Sequence, residues 1–106
     1  MTFSDDVYKI VKKIPKGKVS TYKDIGLMLH TKAYRAIGSI LKRNPNAPHV
    51  PCHRVVASDG SIGGYMGMKS GKNIKTKIAM LQKEGIVIKN NKIFDFKNMK
   101  IKIKKK

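Results

Sequence analysis

Pro51-Cys52-His53-Arg54-Val55 places the only cysteine of the chain directly before a histidine and an arginine. A thiolate, rather than a thiol, is the nucleophile, and cationic neighbours favour the thiolate. These five residues are therefore a reasonable setting for an activated sulfur. A lone intracellular cysteine is more often a small buried hydrophobe, and the motif by itself leaves that reading standing. One cysteine permits no internal disulfide, and no Cys/His spacing here suggests a structural zinc site.

Upstream of the motif the pattern is helical. Ser4 is the expected N-cap of a first helix, with Asp5 and Asp6 in the favourable first turn. Phe3, Val7, Ile10, Val11 and Ile14 recur at helical spacing, and Lys12 and Lys13 precede the stop at Pro15. Val19-Ser20-Thr21 reads as a short extended piece. Thr21 and Asp24 then resemble a capping box opening a second helix, with Ile25, Met28 and Leu29 inward. A third helix is expected over residues 32–43, with Ile37, Ile40 and Leu41 as its apolar stripe and Ala33, Ala36 and Gly38 conspicuously small. Two short helices in succession suggest a helix-turn-helix. An ordinary helical pair is commoner, but a helix without bulk can approach a nucleic-acid groove closely. Asn44-Pro45-Asn46-Ala47-Pro48 cannot continue it.

Downstream, residues 54–57 read as a strand, Ser58-Asp59-Gly60 as a turn and Ser61-Ile62 as a return strand, together a wing. Residues 63–72 are glycine-rich. A fourth helix with Ile74, Ile78 and Leu81 inward should end at Glu84-Gly85, where Gly85 suits the C′ position. Ile86-Val87-Ile88 and Ile93-Phe94 flank Asn90-Asn91 as a terminal hairpin. The expected organisation is one domain over residues 1–96 and a basic tail over 97–106. That tail holds six lysines in ten residues and reads as disordered.

Charge narrows the class of partner. The chain of 106 residues carries 24 Lys and Arg against 6 Asp and Glu, a net charge of +18. Such an imbalance is costly through self-repulsion and suits a polyanion. Twenty-one of the basic residues are lysines, which fit phosphate contact better than base reading; a lysine-rich proteome would also contribute. No apolar run approaches membrane-spanning length and no signal-peptide core is present, so an intracellular, cytoplasmic or nucleoid location without membrane contact is expected.

Pro51-Cys52-His53-Arg54-Val55 also resembles the active-site motif of the O6-alkylguanine-DNA alkyltransferases. The resemblance runs from about Phe3 to Gly85. It includes Ile14-Pro15-x-Gly17-x-Val19-x-Thr21-Tyr22, Arg35-Ala36-Ile37-Gly38, Asn44-Pro45, Ser58-Asp59-Gly60, Gly63-Gly64-Tyr65-x-Gly67 and Glu84-Gly85, in the family's order. It implies an α+β, mostly helical, winged helix-turn-helix fold, that of the family's C-terminal active-site domain. It further implies repair of double-stranded DNA containing O6-alkylguanine by a monomer without cofactor. The alkyl group would pass irreversibly to Cys52, once per molecule, after the base is flipped out of the duplex from the minor groove.

Residue by residue, the resemblance makes Cys52 the acceptor, His53 its base through a bridging water, and Glu84 the group orienting the imidazole. Glu84 is the only glutamate in the chain. Tyr22 would crowd the 3′ phosphate and donate a proton to guanine; read without the family, it is as readily boundary packing. Arg35 would fill the gap left by the flipped base, where the plainer reading is a phosphate contact. Ala33, Ala36 and Gly38 would face the groove, and Asn44 would tie the recognition helix to the active-site loop or simply stabilise its turn. The carbonyls of Cys52 and Val55 and the N–H of Met66 would hold guanine, with Tyr65 walling the alkyl pocket.

In an extended segment Cys52 and His53 would point to opposite faces, which is why the family's water is needed. The chain departs from the family at Tyr34 and Met66, where a small residue and a serine are usual. It departs also in a longer loop over residues 67–75 bearing Met68, and in starting directly with the active-site domain. The alternatives are a non-catalytic binder like the alkyltransferase-like proteins, which carry another residue at the cysteine position, and a generic basic DNA-binding module.

Overall fold

The computed structural model describes residues 2–45, 49–63 and 71–101. The order of elements is α1 (Phe3–Lys12), β1 (Ser20–Thr21), α2 (Tyr22–Met28), α3 (Tyr34–Lys42), β2 (Val55–Val56), α4 (Lys72–Lys83), β3 (Ile88–Lys89), β4 (Lys92–Ile93) and α5 (Phe96–Met99). The fold is α+β. Val7 and Val11 of α1, Ile25 of α2 and Ile37 and Leu41 of α3 meet in one core with Val19, Val55, Val56, Ile62, Leu81 and Ile86. Tyr8 hangs α1 on α3 by donating its hydroxyl to the Ile40 carbonyl at 2.7 Å.

Side-chain caps set the starts of α1 and α2. α1 begins at Thr2 rather than Ser4: the Thr2 hydroxyl accepts from the Asp5 N–H while the Asp5 carboxylate accepts from the Thr2 N–H. That reciprocal pair satisfies two donors, which a cap at Ser4 would not. At α2 the Thr21 hydroxyl accepts from the Asp24 N–H at 3.0 Å, but the Asp24 side chain turns elsewhere. α3 starts at Tyr34, two residues later than the periodicity suggests, and has no side-chain cap. The Tyr34 ring explains how a bulky residue is accommodated here. A Cβ added at Gly26 would sit 2.5 Å from Tyr34 Cε1 and 2.8 Å from the Thr31 carbonyl. The ring therefore packs inward on the glycine of α2, away from the exposed side of α3.

The strands pair differently from the expected wing. β2 runs parallel to β1, with Ser20 opposite Val55 and Thr21 opposite Val56. Ser61 bridges instead to Lys92, and the Ile62 N–H donates to the Asn91 carbonyl at 3.0 Å. The cause is the β3–β4 hairpin, closed by Asn90 and Asn91 at φ of 51° and 63°, the left-handed pair a two-residue turn requires. It presents a free edge on which residues 60–62 complete their hydrogen bonds. One bond, from the Ala57 N–H to the Ser61 carbonyl at 3.0 Å, remains of the predicted strand pair.

Residues 97–101 of the basic segment are ordered, contrary to its composition. Val19 pairs in parallel with Lys100. The Val19 N–H donates to the Met99 carbonyl at 3.0 Å and the Ile101 N–H to the Val19 carbonyl at 2.9 Å. Phe96, Met99 and Ile101 pack on the core. Lys100 Nζ lies 3.3 Å from Oδ2 of the buried Asp24. Lysine density hid an alternation of apolar and basic residues that covers the open edge of β1. Cutting the chain before Lys97 therefore removes structure, and not only charge. It should lower stability by about 2 kcal/mol, since Asp24 is left without its cation. Thermal unfolding checks this: truncation after Phe96 should lower Tm by roughly 10 °C, while truncation after Ile101 should leave it near the parent value.

Candidate active site

The motif adopts a tight turn and not the extended segment expected. Cys52–Arg54 form one turn of 3-10 helix, with the Cys52 N–H bonded to the Val50 carbonyl at 2.8 Å and the Arg54 N–H to the Pro51 carbonyl at 2.9 Å. Asn44 fixes the approach to this turn. It is buried beyond the end of α3, and its Nδ2 donates to the Val50 carbonyl at 2.7 Å, linking that helix to the residue two before Cys52. Cys52 is a free, buried thiol.

The other end of the site is built by the termination of α4. The Ile86 N–H returns to the Leu81 carbonyl and the Gly85 N–H to the Gln82 carbonyl, at 3.1 and 3.0 Å, with Gly85 at φ 92°. This pair of bonds is a Schellman motif, which only a left-handed residue closes cheaply. It holds Glu84 at the C-cap. The His53 Nε2–H donates to Glu84 Oε2 at 2.9 Å. Arg54 grips the same carboxylate through Nε to Oε1 at 2.9 Å and Nη2 to Oε2 at 2.8 Å. Its Nη1 reaches the Ile14 carbonyl at 2.7 Å. Bidentate Arg–carboxylate pairing of this kind fixes direction as well as charge.

Electrostatics assigns the protonation states. Burial is the main influence on His53 and lowers its pKa, against the opposing pull of Glu84, so the imidazole is neutral near pH 7. With Nε2–H given to Glu84, Nδ1 carries the lone pair; it is buried and makes no hydrogen bond to a described residue. Burial works to raise the Glu84 pKa, but the hydrogen bonds from Arg54 and His53 outweigh it and hold the carboxylate below its ordinary range. Burial first, and the nearby Cys52 second, push the Tyr22 hydroxyl up, so it stays protonated. Tyr22 is the first residue of α2, positioned by the Thr21 cap. A cleft of about 330 Å³ lined by Lys16, His53, Arg54, Met80, Lys83 and Glu84 opens on the carboxylate side of this relay.

Two residues of the site were not singled out from sequence. Arg54 is one, visible only as a basic residue following His53. Lys77 is the other, fully buried, with Nζ donating to the Val55 carbonyl at 2.8 Å and to the Ile62 carbonyl. Burial drags its pKa down to about 8, while its attraction to Cys52 works the other way. The signal was a lysine inside the apolar stripe Ile74, Ile78, Leu81. Val55 is itself buried, and the Cys52 carbonyl accepts from the Val55 N–H. Both carbonyls that the resemblance assigns to guanine thus hold a hydrogen bond within the described residues, that of Cys52 from the Val55 N–H and that of Val55 from Lys77. Ala33, Arg35 and Ala36 are exposed and Gly38 half-exposed along α3, with nothing within 4 Å of the Gly38 Cβ position. Tyr65, Met66 and Met68 lie outside the described residues. Among the described residues no group of three or more His, Cys, Asp or Glu comes together to hold a metal ion, and no helix is long and apolar enough to cross a membrane.

Comparison with known proteins places the geometry. The family described as 6-O-methylguanine DNA methyltransferase, DNA binding domain, matches residues 2–86. A methylated-DNA–protein-cysteine methyltransferase of Saccharolobus islandicus is 46% identical over 86 residues, 81% of this chain and 52% of that protein. A bifunctional methyltransferase/endonuclease of Picrophilus torridus is 41% identical over 88 residues, 82% of this chain and 28% of that protein. The chain thus spans about half the length, or less, of these relatives. Among solved structures, Mycobacterium tuberculosis OGT in complex with DNA superposes with a TM-score of 0.70 at 35% identity, covering 79% of this chain and 50% of that one. Atl1 of S. pombe, in complex with damaged DNA containing O6-carboxymethylguanine, superposes with a TM-score of 0.82 at 28% identity, covering 95% of both chains.

The buried Lys77 makes a pH prediction with a definite sign. Its folded pKa of about 8 lies below the ordinary 10.5, so over that interval the unfolded chain binds more protons and stability rises with pH. Lys77→Met removes this contribution. Denaturant titrations at about pH 7.5 and about pH 10 should show the parent gaining stability relative to the variant at the higher pH. A difference independent of pH would contradict a buried, titrating Lys77.

Proposed function

Because the chain belongs to the 6-O-methylguanine DNA methyltransferase family, matching its DNA-binding domain over residues 2–86, we propose that it removes the alkyl group from O6 of guanine in double-stranded DNA by accepting it on Cys52. The observation that carries this reading is the free, buried Cys52 beside a relay in which a neutral His53 is held by Glu84 at 2.9 Å. α3 enters the minor groove by its small face of Ala33, Ala36 and Gly38. Arg35 replaces the flipped base, and Tyr22 presses on the 3′ phosphate. Asn44 couples α3 to the active-site turn.

The step balances as a displacement at carbon. Nδ1 of His53 takes the Cys52 proton through a water, Glu84 stabilises the resulting imidazolium, and the thiolate attacks the alkyl carbon. The carbon–O6 bond breaks with its electron pair going to guanine, and the Tyr22 hydroxyl supplies a proton so that the base leaves neutral. The buried Lys77 ammonium adds a positive charge near the thiolate. The product is a thioether. His53 and Glu84 move protons only, so nothing in the relay reverses it, and each molecule acts once, as a monomer without cofactor.

The likeness to Atl1 over 95% of both chains favours one other reading, a protein that binds the lesion without chemistry. Cys52 separates the two. Intact-mass spectrometry after incubation with an O6-methylguanine duplex should show one added methyl, with the amplitude equal to the amount of reactive protein when DNA is in excess. Cys52→Ala should abolish the mass shift while duplex binding stays within about threefold, because affinity comes from the basic surface and α3. Unmodified parent protein would leave the lesion-binder, and turnover well beyond one methyl per molecule would rule out the thioether endpoint.

A further inference from the structure

α2 ends in a Schellman motif that folds the chain back over Gly26. The Thr31 N–H donates to the Gly26 carbonyl at 2.9 Å and the His30 N–H to the Leu27 carbonyl at 3.2 Å, with His30 in the left-handed region at φ 56°. Thr31, Lys32 and Ala33 then lead to α3. The Thr31 hydroxyl accepts from the Ala33 N–H at 3.1 Å, and the Tyr34 N–H donates to the Lys32 carbonyl at 2.8 Å. This path brings the Tyr34 ring onto the bare Cα of Gly26. A Cβ there would lie 2.5 Å from Cε1 and 2.9 Å from Cδ1 of the ring.

The ring fixes the rotation of α3 about its own axis. Tyr34 packs on the core and extends the buried stripe of Ile37 and Leu41 by one turn, and α3 has no side-chain cap to set its start. Successive residues of an α-helix are displaced by about 100°, so a side chain seated at Tyr34 decides where the next one points. The next one is Arg35. It is exposed, and among the described residues no hydrogen bond or ion pair holds its guanidinium. Its direction is therefore inherited from the backbone of the first turn, which Tyr34 registers against Gly26.

We propose that Tyr34 is a positioning residue for base extrusion: its ring, seated in the notch at Gly26, holds the first turn of α3 in the rotation that sends Arg35 into the duplex. This rests on the reading of Arg35 as the side chain that replaces the flipped base. Turned outward, a residue of this bulk would stand between α3 and the groove. Turned inward, it braces the arginine from behind, a contact that a small residue at this position could not make.

The test measures single-turnover methyl transfer from an O6-methylguanine oligonucleotide, single-stranded and as a duplex, over a range of protein concentrations. Extrusion is needed only in the duplex. Tyr34→Ala should lower the limiting rate on the duplex by about tenfold, as a small misplacement of a positioned group does. Half-saturation and the single-strand rate should stay near those of the parent. Tyr34→Phe, which keeps the ring, should retain the parent rate on both. In an Arg35→Ala background, Tyr34→Ala should cost nothing further. Equal losses on the two substrates would mean that the ring only supports the fold and would overturn the proposal, as would an undiminished duplex rate in Tyr34→Ala. If Arg35→Ala leaves the duplex rate intact, the reading of Arg35 fails and the role of Tyr34 with it. If Arg35→Ala slows the duplex and the two losses add, only the role of Tyr34 fails. If the parent accepts no methyl, the alkyl-transfer reading fails, and the fluorescence of a 2-aminopurine stacked beside the lesion reports extrusion by the same proteins.

Discussion

One carboxylate holds three distant parts of this chain together. Glu84 accepts from His53 and, twice, from Arg54, and Arg54 continues to the carbonyl of Ile14. The end of α4, the cysteine turn and the exit of α1 are thereby fixed to one another. A charge this little exposed is stabilising only when its lone pairs are satisfied, and here the guanidinium and the imidazole do that from two directions. The same bonds that stabilise the junction select the histidine tautomer. Structure and chemistry are not separable at this position: loosening the carboxylate would free the imidazole as well.

Lys77 is the counterpart on the inner side of the cysteine turn. An ammonium with no solvent exposure is tolerated because the carbonyls of Val55 and Ile62 converge on it. These carbonyls belong to two segments that a regular hairpin would have bonded to each other. Instead residues 60–62 bond to the β3–β4 hairpin, and the lysine fills the space between. The irregular strand pairing and the buried cation are two aspects of one arrangement.

Much of this was legible in the sequence, for identifiable reasons. Local signals with a single physical meaning read through: Pro15 and Gly85 as stops, Asn90-Asn91 as a turn, Thr21 as a cap, and the spacing of Val7, Val11, Ile37 and Leu41 as inner faces. The Cys52, His53 and Glu84 assignments came from the family pattern and not from periodicity, and they lie within one connected cluster. The expectations that failed depended on partners far away in sequence or on the turn's own backbone. Cys52–Arg54 form a turn because Val50 and Pro51 supply acceptors. Ser61 leaves the predicted wing for Lys92. Residues 97–101 fold because Val19 and Asp24 await them. Tyr34, a departure from the family pattern, fits because Gly26 leaves room for its ring, a compensation no single position reveals.

Residues 19–21 have their partners on both sides far along the chain, β1 at residues 55–56 and Val19 just before it at 99–101. Each of these strand pairings therefore closes a long loop, and such contacts form late and slowly compared with helical ones. During synthesis α1, α2 and α3 leave the ribosome well before Lys100 exists. Asp24 must spend that interval without its cation, and the edge of β1 stays open to any other strand that passes. A nascent chain paused before residue 100 would hold a nearly complete helical bundle with a raw sheet edge. The stretch that shields it from association with other chains, residues 99–101, is made only after the helices it packs beside.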